Sequence, residues 1–136
     1  MVKKITIAID AMGGENAPEK TIEGVKLFLK NNQIHDDFII NLFGDKKRID
    51  KKLKEENVDR TNLKITHTDS VVADDETPLT AIKNSKNTSM WNCISSQVTG
   101  DADISLSAGN TGVLLVVSRM IPVSYTHLRA HETSRN

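Results

Sequence analysis

Two short stretches carry residue types that can hold a small anion. Residues 10–18 read Asp-Ala-Met-Gly-Gly-Glu-Asn-Ala-Pro, and residues 107–112 read Ser-Ala-Gly-Asn-Thr-Gly. The first follows an apolar run and the second a short strand pattern over 103–107, and each precedes a helical pattern, so each is a strand-to-helix loop. In a parallel α/β sheet such loops lie at the carboxyl ends of the strands, where ligands bind. The first N–H groups of a helix have no internal acceptors and sit at the positive end of its dipole, so phosphate or carboxylate settles there readily. In the second loop Ser107, Asn110 and Thr111 add side-chain donors, and Gly109 lets the backbone turn. A plainer reading stands beside each. The Gly-Gly pair can serve its backbone angles alone, and Asn110 can simply cap its helix. Neither loop carries the Gly-Lys-Ser/Thr of a phosphate-loop NTPase or the Gly-x-Gly-x-x-Gly of a dinucleotide fold.

Other reactive residue types are weaker signals. Asp74, Asp75 and Glu76 are adjacent carboxylates, and adjacent side chains point different ways, so a solvated loop fits them better than a metal site. His127 and His131 have the i,i+4 spacing of a zinc pair, but residues 123–136 show no apolar period and resemble translated adapter sequence. The expectation is a solvated, non-native tail without chemistry, so no metal site is assigned. The lone Cys93 excludes an intrachain disulfide and reads as a small buried hydrophobe. Lys46, Lys47, Arg48, Lys51, Lys52 and Lys54 form the densest basic cluster, which could dock an acidic partner but reads more simply as the solvated face of a helix.

The elements that must position the loops follow from periodicity. Residues 4–10 are nearly continuously apolar and β-branched, as in a strand buried on both faces. Pro18 suits a first helical turn, and Ile22, Val25 and Leu29 mark one apolar face of a helix over 19–30. A second strand covers 38–43, closed by Gly44 and Asp45. A charged helix with Ile49 and Leu53 as anchors covers 46–56, and an alternating strand covers 63–66. Val71 and Val72 extend that strand or form another short piece. Thr77 and Pro78 open a helix to about residue 83. A helix over 89–99, a strand over 103–107 and an apolar helix over 113–121 complete the alternation. Alternating strands and helices predict an α/β fold with a mostly parallel sheet.

Composition sets the outer limits. The chain has 136 residues, enough for one ordinary domain with a real core. Its 18 basic and 18 acidic residues cancel, which argues against nucleic-acid binding driven by bulk charge. No apolar run reaches the roughly 18–20 residues of a bilayer span, and no signal-peptide cleavage site follows the start. The expectation is a cytoplasmic protein.

Five motifs occur in order: Asp-Ala-Met-Gly-Gly-x-Asn-Ala-Pro (10–18), Phe-Gly-Asp (43–45), Asp-Glu-x-Pro (75–78), Thr-Ser-Met (88–90) and Ser-Ala-Gly-Asn-Thr-Gly (107–112). Their order and spacing resemble the bacterial phosphate acyltransferase (PlsX) family of phospholipid synthesis, over residue 3 to about 121. The resemblance implies a three-layer α/β/α sandwich like those of isocitrate dehydrogenases and phosphotransacetylases, present here as an incomplete domain over 1–122. It implies acyl transfer from acyl-carrier protein to inorganic phosphate, with no cofactor. It places Gly13, Gly14, Asn16, Gly109, Asn110 and Thr111 around the anion beside Ser107, with Asp10 orienting the first loop. It assigns no catalytic residue, and full-length members would be homodimers with peripheral membrane contact. Glu15 stands where the family usually has Asp, and Thr77 where it commonly has an acid. Family members run more than twice this length, so the polypeptide is expected to be a truncated, inactive fragment. Two other readings remain: a phosphotransacetylase-like enzyme acting on acyl-CoA, and a non-catalytic α/β domain that binds an anion or a partner.

Overall fold

The structure, a computed structural model, describes residues 4–31, 37–72, 77, 87–119 and 121. The expected helix over 78–83, the carboxylates at 74–76 and the tail from 123 lie outside the described residues. Among the described residues the elements run β1 (Ile5–Asp10), α1 (Glu19–Asn31), β2 (Phe38–Gly44), α2 (Lys46–Glu55), β3 (Leu63–His67), α3 (Ser89–Val98) and β4 (Ile104–Ser107). A helix over residues 111–119, here α4, follows. Val71 and Val72 form no strand; only Ser70 makes an isolated parallel bridge, to Thr88.

The four strands form one parallel sheet in the order β3-β2-β1-β4. Successive side chains of a strand point to opposite faces, and the register follows that alternation. Ile9, Ile40, Leu42, Leu63 and Ile65 face α1 and α2, which close on them with Ile22, Val25, Leu29, Ile49 and Leu53. Ile22, Ile49 and Leu53 are at most 1 % exposed, and burying each such side chain contributes about 1.5–3 kcal/mol. Ala8 and Phe43, of the other parity, pack against Cys93 of α3. A second apolar cluster joins α3 to α4 through Met90, Ile94, Val113 and Val117. Helices therefore lie on both faces of the sheet.

Caps define the helix starts. The Asp45 carboxylate accepts from Lys47 N and Arg48 N, so the Gly-Asp after β2 both ends the strand and opens α2. Thr88 Oγ1 accepts from Trp91 N at the start of α3. Each such cap stabilises its helix by about 1 kcal/mol.

Strand order decides where a ligand can enter. From β1 the chain moves outward through β2 to β3, then crosses back to place β4 on the other side of β1. The gap between β1 and β4 is thus the point where the winding reverses. In open α/β sheets the connections after two such strands diverge, leaving a crevice at their carboxyl ends.

Candidate functional site

The two glycine loops leave the carboxyl ends of β1 and β4 and meet at that crevice. β1 and β4 are hydrogen-bonded neighbours with Asp10 opposite Ser107. An added Cβ on Gly13 would lie 2.8 Å from Gly109 N, 2.8 Å from Asp10 Oδ2 and 3.0 Å from Ser107 Oγ. Glycine at 13 is required by this close approach of one loop to the other. Gly14 has φ +93° and lies against the carbonyl of Ala108, so it needs glycine for its conformation as well.

Asp10 is the joint of the site. It is 3 % exposed, and a buried carboxylate needs donors. Its Oδ1 accepts from Met12 N at 3.1 Å and from Ser89 Oγ at 2.5 Å. Its Oδ2 accepts from Ser107 Oγ at 2.8 Å. Ser107 Oγ in turn accepts from Gly109 N at 3.1 Å. The carboxylate therefore holds its own loop, the second loop and the first turn of α3 together.

Ser107 departs from the donor role expected of it. A serine hydroxyl has a single donor. Ser107 gives its proton to Asp10, so in this state it is an acceptor for Gly109 and not a donor to a bound anion. Asn110 turns out to cap α4, its Oδ1 accepting from Val113 N at 3.2 Å. Thr111 and Gly112, both exposed, open the helix. Their N–H groups have no acceptor among the described residues, as expected for a helix start. Asn16, exposed and at φ 59°, stands at the exit of the first loop, where its carbonyl accepts from Lys20 N. Nothing ties it to the second loop among the described residues. The structure thus gathers Asp10, Gly13, Gly14, Ser107 and Gly109, places Asn110 and Thr111 at the adjoining helix start, and leaves Asn16 at the margin.

Two participants were not singled out from sequence as site residues. Ser89 is fully buried and lies 79 positions from Asp10. Its place in the Thr-Ser-Met motif, at the start of a helix, was the only available signal. From sequence Arg48 is one member of a basic cluster, yet its guanidinium donates to Ala17 O at 3.2 Å and pairs with Glu19 at 3.7 Å. It brings a positive charge to the exit of the first loop.

Cys93 sits below the joint, its Sγ 3.6 Å from the Leu106 carbonyl. Burial, with the charge of Asp10 adding to it, pushes its thiol up to about 12. A thiol so raised stays protonated and is a poor nucleophile. Among the described residues no three His, Cys, Asp or Glu side chains gather as metal ligands would. A polar hollow of about 600 Å³ lies between α3 and the sheet, lined by Asn41, Lys64, Thr66, Ser95 and Asp101 among others. None of the eight expected site residues lines it.

Comparison with known proteins adds an independent line. The family described as fatty acid synthesis protein matches residues 5–130. A phosphate acyltransferase of Pelagibacter ubique is 41% identical over 120 residues, covering 88% of this chain and 34% of the relative. Its counterpart in Clostridioides difficile is 39% identical over 109 residues, covering 80% and 31%. That of Streptococcus uberis is 42% identical over 115 residues, covering 85% and 32%. The chain spans about a third of the length of these curated relatives.

Proposed function

Because this chain belongs to the fatty acid synthesis protein family, with relatives named phosphate acyltransferase, we propose that its two loops form one wall of a site for acyl transfer to inorganic phosphate. The donor in this reading is the thioester of an acyl-carrier protein. The observation that carries it is the Gly13–Gly109 contact at the strand-order reversal, with the start of α4 following Gly109.

The chemistry suits such a wall. A hydrogen phosphate oxygen attacks the thioester carbonyl carbon and a C–O bond forms. The carbonyl oxygen carries negative charge in the tetrahedral intermediate. The C–S bond then breaks, and the phosphate proton ends on the departing thiol. Phosphate is already nucleophilic at neutral pH, so positioning and neutralisation of charge can supply most of the acceleration. Gly14 and the start of α4 offer backbone N–H groups for the phosphate or the developing oxyanion. Arg48, paired with Glu19 and bonded to Ala17 O, braces the exit of the first loop. Asp10 stays out of contact with the anion, since three donors already surround its carboxylate.

Asn16, Thr111 and Gly112 are open to water. A wall open on one side gives the thioester carbonyl no partners beyond the two loops, so the 136-residue chain is expected to bind phosphate without turning over. A cytoplasmic location, a homodimer and peripheral membrane contact for the longer protein belong to the same reading and rest on the family resemblance.

Titration of the chain with inorganic phosphate, followed by amide NMR, tests the wall. Shifts at Gly13, Gly14, Thr111 and Gly112 are expected, and shifts confined elsewhere would overturn it. Binding of acyl-carrier protein and of CoA, measured in parallel, tests the donor, and binding of CoA alone would favour the phosphotransacetylase-like reading. Clear phosphate-dependent thiol release by the 136-residue chain would refute the open-site reasoning.

A further inference from the structure

We propose that Ser89 is a positioning residue for the anion site, acting through Asp10 and Ser107 on the backbone N–H of Gly109. The inference rests on the phosphate-site reading above, but the relay can be tested without it.

The relay follows from hydrogen-bond directions. Ser89 Oγ donates to Asp10 Oδ1, Ser107 Oγ donates to Asp10 Oδ2, and Gly109 N donates to Ser107 Oγ. Each proton in this series has one destination, so the direction of every bond is determined by the carboxylate at its head. Of the three donors to that carboxylate, Met12 N belongs to the first loop and Ser107 to the end of β4. Among the described residues only Ser89 comes from outside the two loops and their strands. Its own backbone is anchored, with Ser89 N donating to Ser70 O at 3.0 Å. The residue before it is the cap of α3, and α3 packs through Met90 and Ile94 on α4. Ser89 therefore connects the position of the α3–α4 pair to the rotamer of Asp10, and Asp10 sets the direction of the Ser107 hydroxyl.

Removing the Ser89 hydroxyl leaves Oδ1 with one donor in a buried site. A carboxylate short of a donor turns toward others. The nearest is the Ser107 hydroxyl or water from the crevice, and either change alters what Gly109 N–H meets. The second loop then no longer presents the start of α4 at the same distance from Gly14.

The test compares Ser89→Ala with Ser96→Ala in the 136-residue chain. Ser96 is on the same helix, and its hydroxyl donates to Cys93 O at 2.6 Å, with no bond to the loops. Two readouts are taken: the amide resonance and hydrogen exchange of Gly109, and the affinity for inorganic phosphate. Ser89→Ala is expected to shift the Gly109 amide, speed its exchange at least tenfold and weaken phosphate binding about tenfold. Ser96→Ala is expected to lower thermal stability while leaving both readouts in place. In a double-mutant cycle, adding Ser107→Ala to Ser89→Ala should cost phosphate affinity little more than either change alone. An unmoved Gly109 amide overturns the relay, additive losses in the cycle reduce Ser89 to a structural contact, and unchanged phosphate affinity overturns its positioning role. If the unaltered chain takes up no phosphate, the proposed site fails, and the Gly109 signal still decides the relay.

Discussion

Replacing Gly13 by alanine inserts one methyl group between the two loops. The new Cβ would stand 2.8 Å from a carboxylate oxygen of Asp10 and 2.8 Å from the backbone nitrogen of Gly109, with Ser107 Oγ at 3.0 Å. The first two contacts are with a pinned side chain and with backbone, so neither can swing aside. Overpacking of this kind costs about 1–3 kcal/mol. Relief by moving the second loop stretches the Ser107–Asp10 bond, and a hydrogen bond to a charged group contributes about 1.5–3 kcal/mol. With that bond stretched and the overlap only partly relieved, the cost expected for Gly13→Ala is about 2–4 kcal/mol, a large share of the 5–15 kcal/mol that holds a typical domain. In phosphate affinity the loss should be at least tenfold, since the two loops separate. Gly109→Ala is the internal control. Its added Cβ meets the terminal methyl of Met90 at 2.8 Å and Ser107 Oγ at 3.3 Å, and a thioether chain end can rotate away. Its cost should stay near 1 kcal/mol. Neither position lies in the left-handed region, so backbone strain does not separate the two. Urea unfolding followed by circular dichroism measures both, and calorimetry with inorganic phosphate measures the site. A Gly13→Ala chain within 0.5 kcal/mol of the parent, or one less affected than Gly109→Ala, would refute the contact between the loops.

Further outcomes follow from other residues. Gly24 sits inside α1, exposed, with nothing within 4 Å of an added Cβ, so Gly24→Ala should stabilise the chain by about 0.5–1 kcal/mol; a lower melting temperature would contradict this. With its thiol raised to about 12, Cys93 should resist a thiol reagent at pH 8 in the folded chain and react promptly in urea; fast labelling of the folded state would show that the thiol is neither buried nor protonated. Hydrogen bonds from Lys26 and Lys52 lower the Glu56 carboxyl below its ordinary range, and the bond to Glu56 raises the Lys52 ammonium. Stability from Glu56 is therefore present above the ordinary carboxylate range and lost as pH falls through its lowered value, while that from Lys52 is lost as pH rises through its raised value. The stability difference between the parent and Glu56→Gln should vanish toward strong acid and shrink in high salt; a difference that persists at acid pH would rule out the ion pairs as its source.

Much of the scaffold was legible from residue order. The apolar run ending at Asp10, the Ile22–Val25–Leu29 stripe and the Gly44-Asp45 stop each placed an element, because periodicity and capping are local properties of the chain. The two glycine loops were recognisable for the same reason. Asn110 illustrates the limit: capping and anion binding use the same residue type, and only the Val113 N–H at 3.2 Å shows that capping occupies its side-chain oxygen. Ser89 illustrates it further, since a serine in the first turn of a helix gives no sign of a partner 79 residues away.

The sequence by itself determined that this chain alternates strands and helices and carries two anion-friendly loops, since both follow from neighbours a few residues apart. Only the tertiary structure decided that β4 returns to the free side of β1, which makes loops nearly a hundred residues apart share one crevice. It also decided the direction of the Ser107 proton, because a buried carboxylate draws every donor within reach, and which donors are in reach depends on how the sheet is ordered and packed.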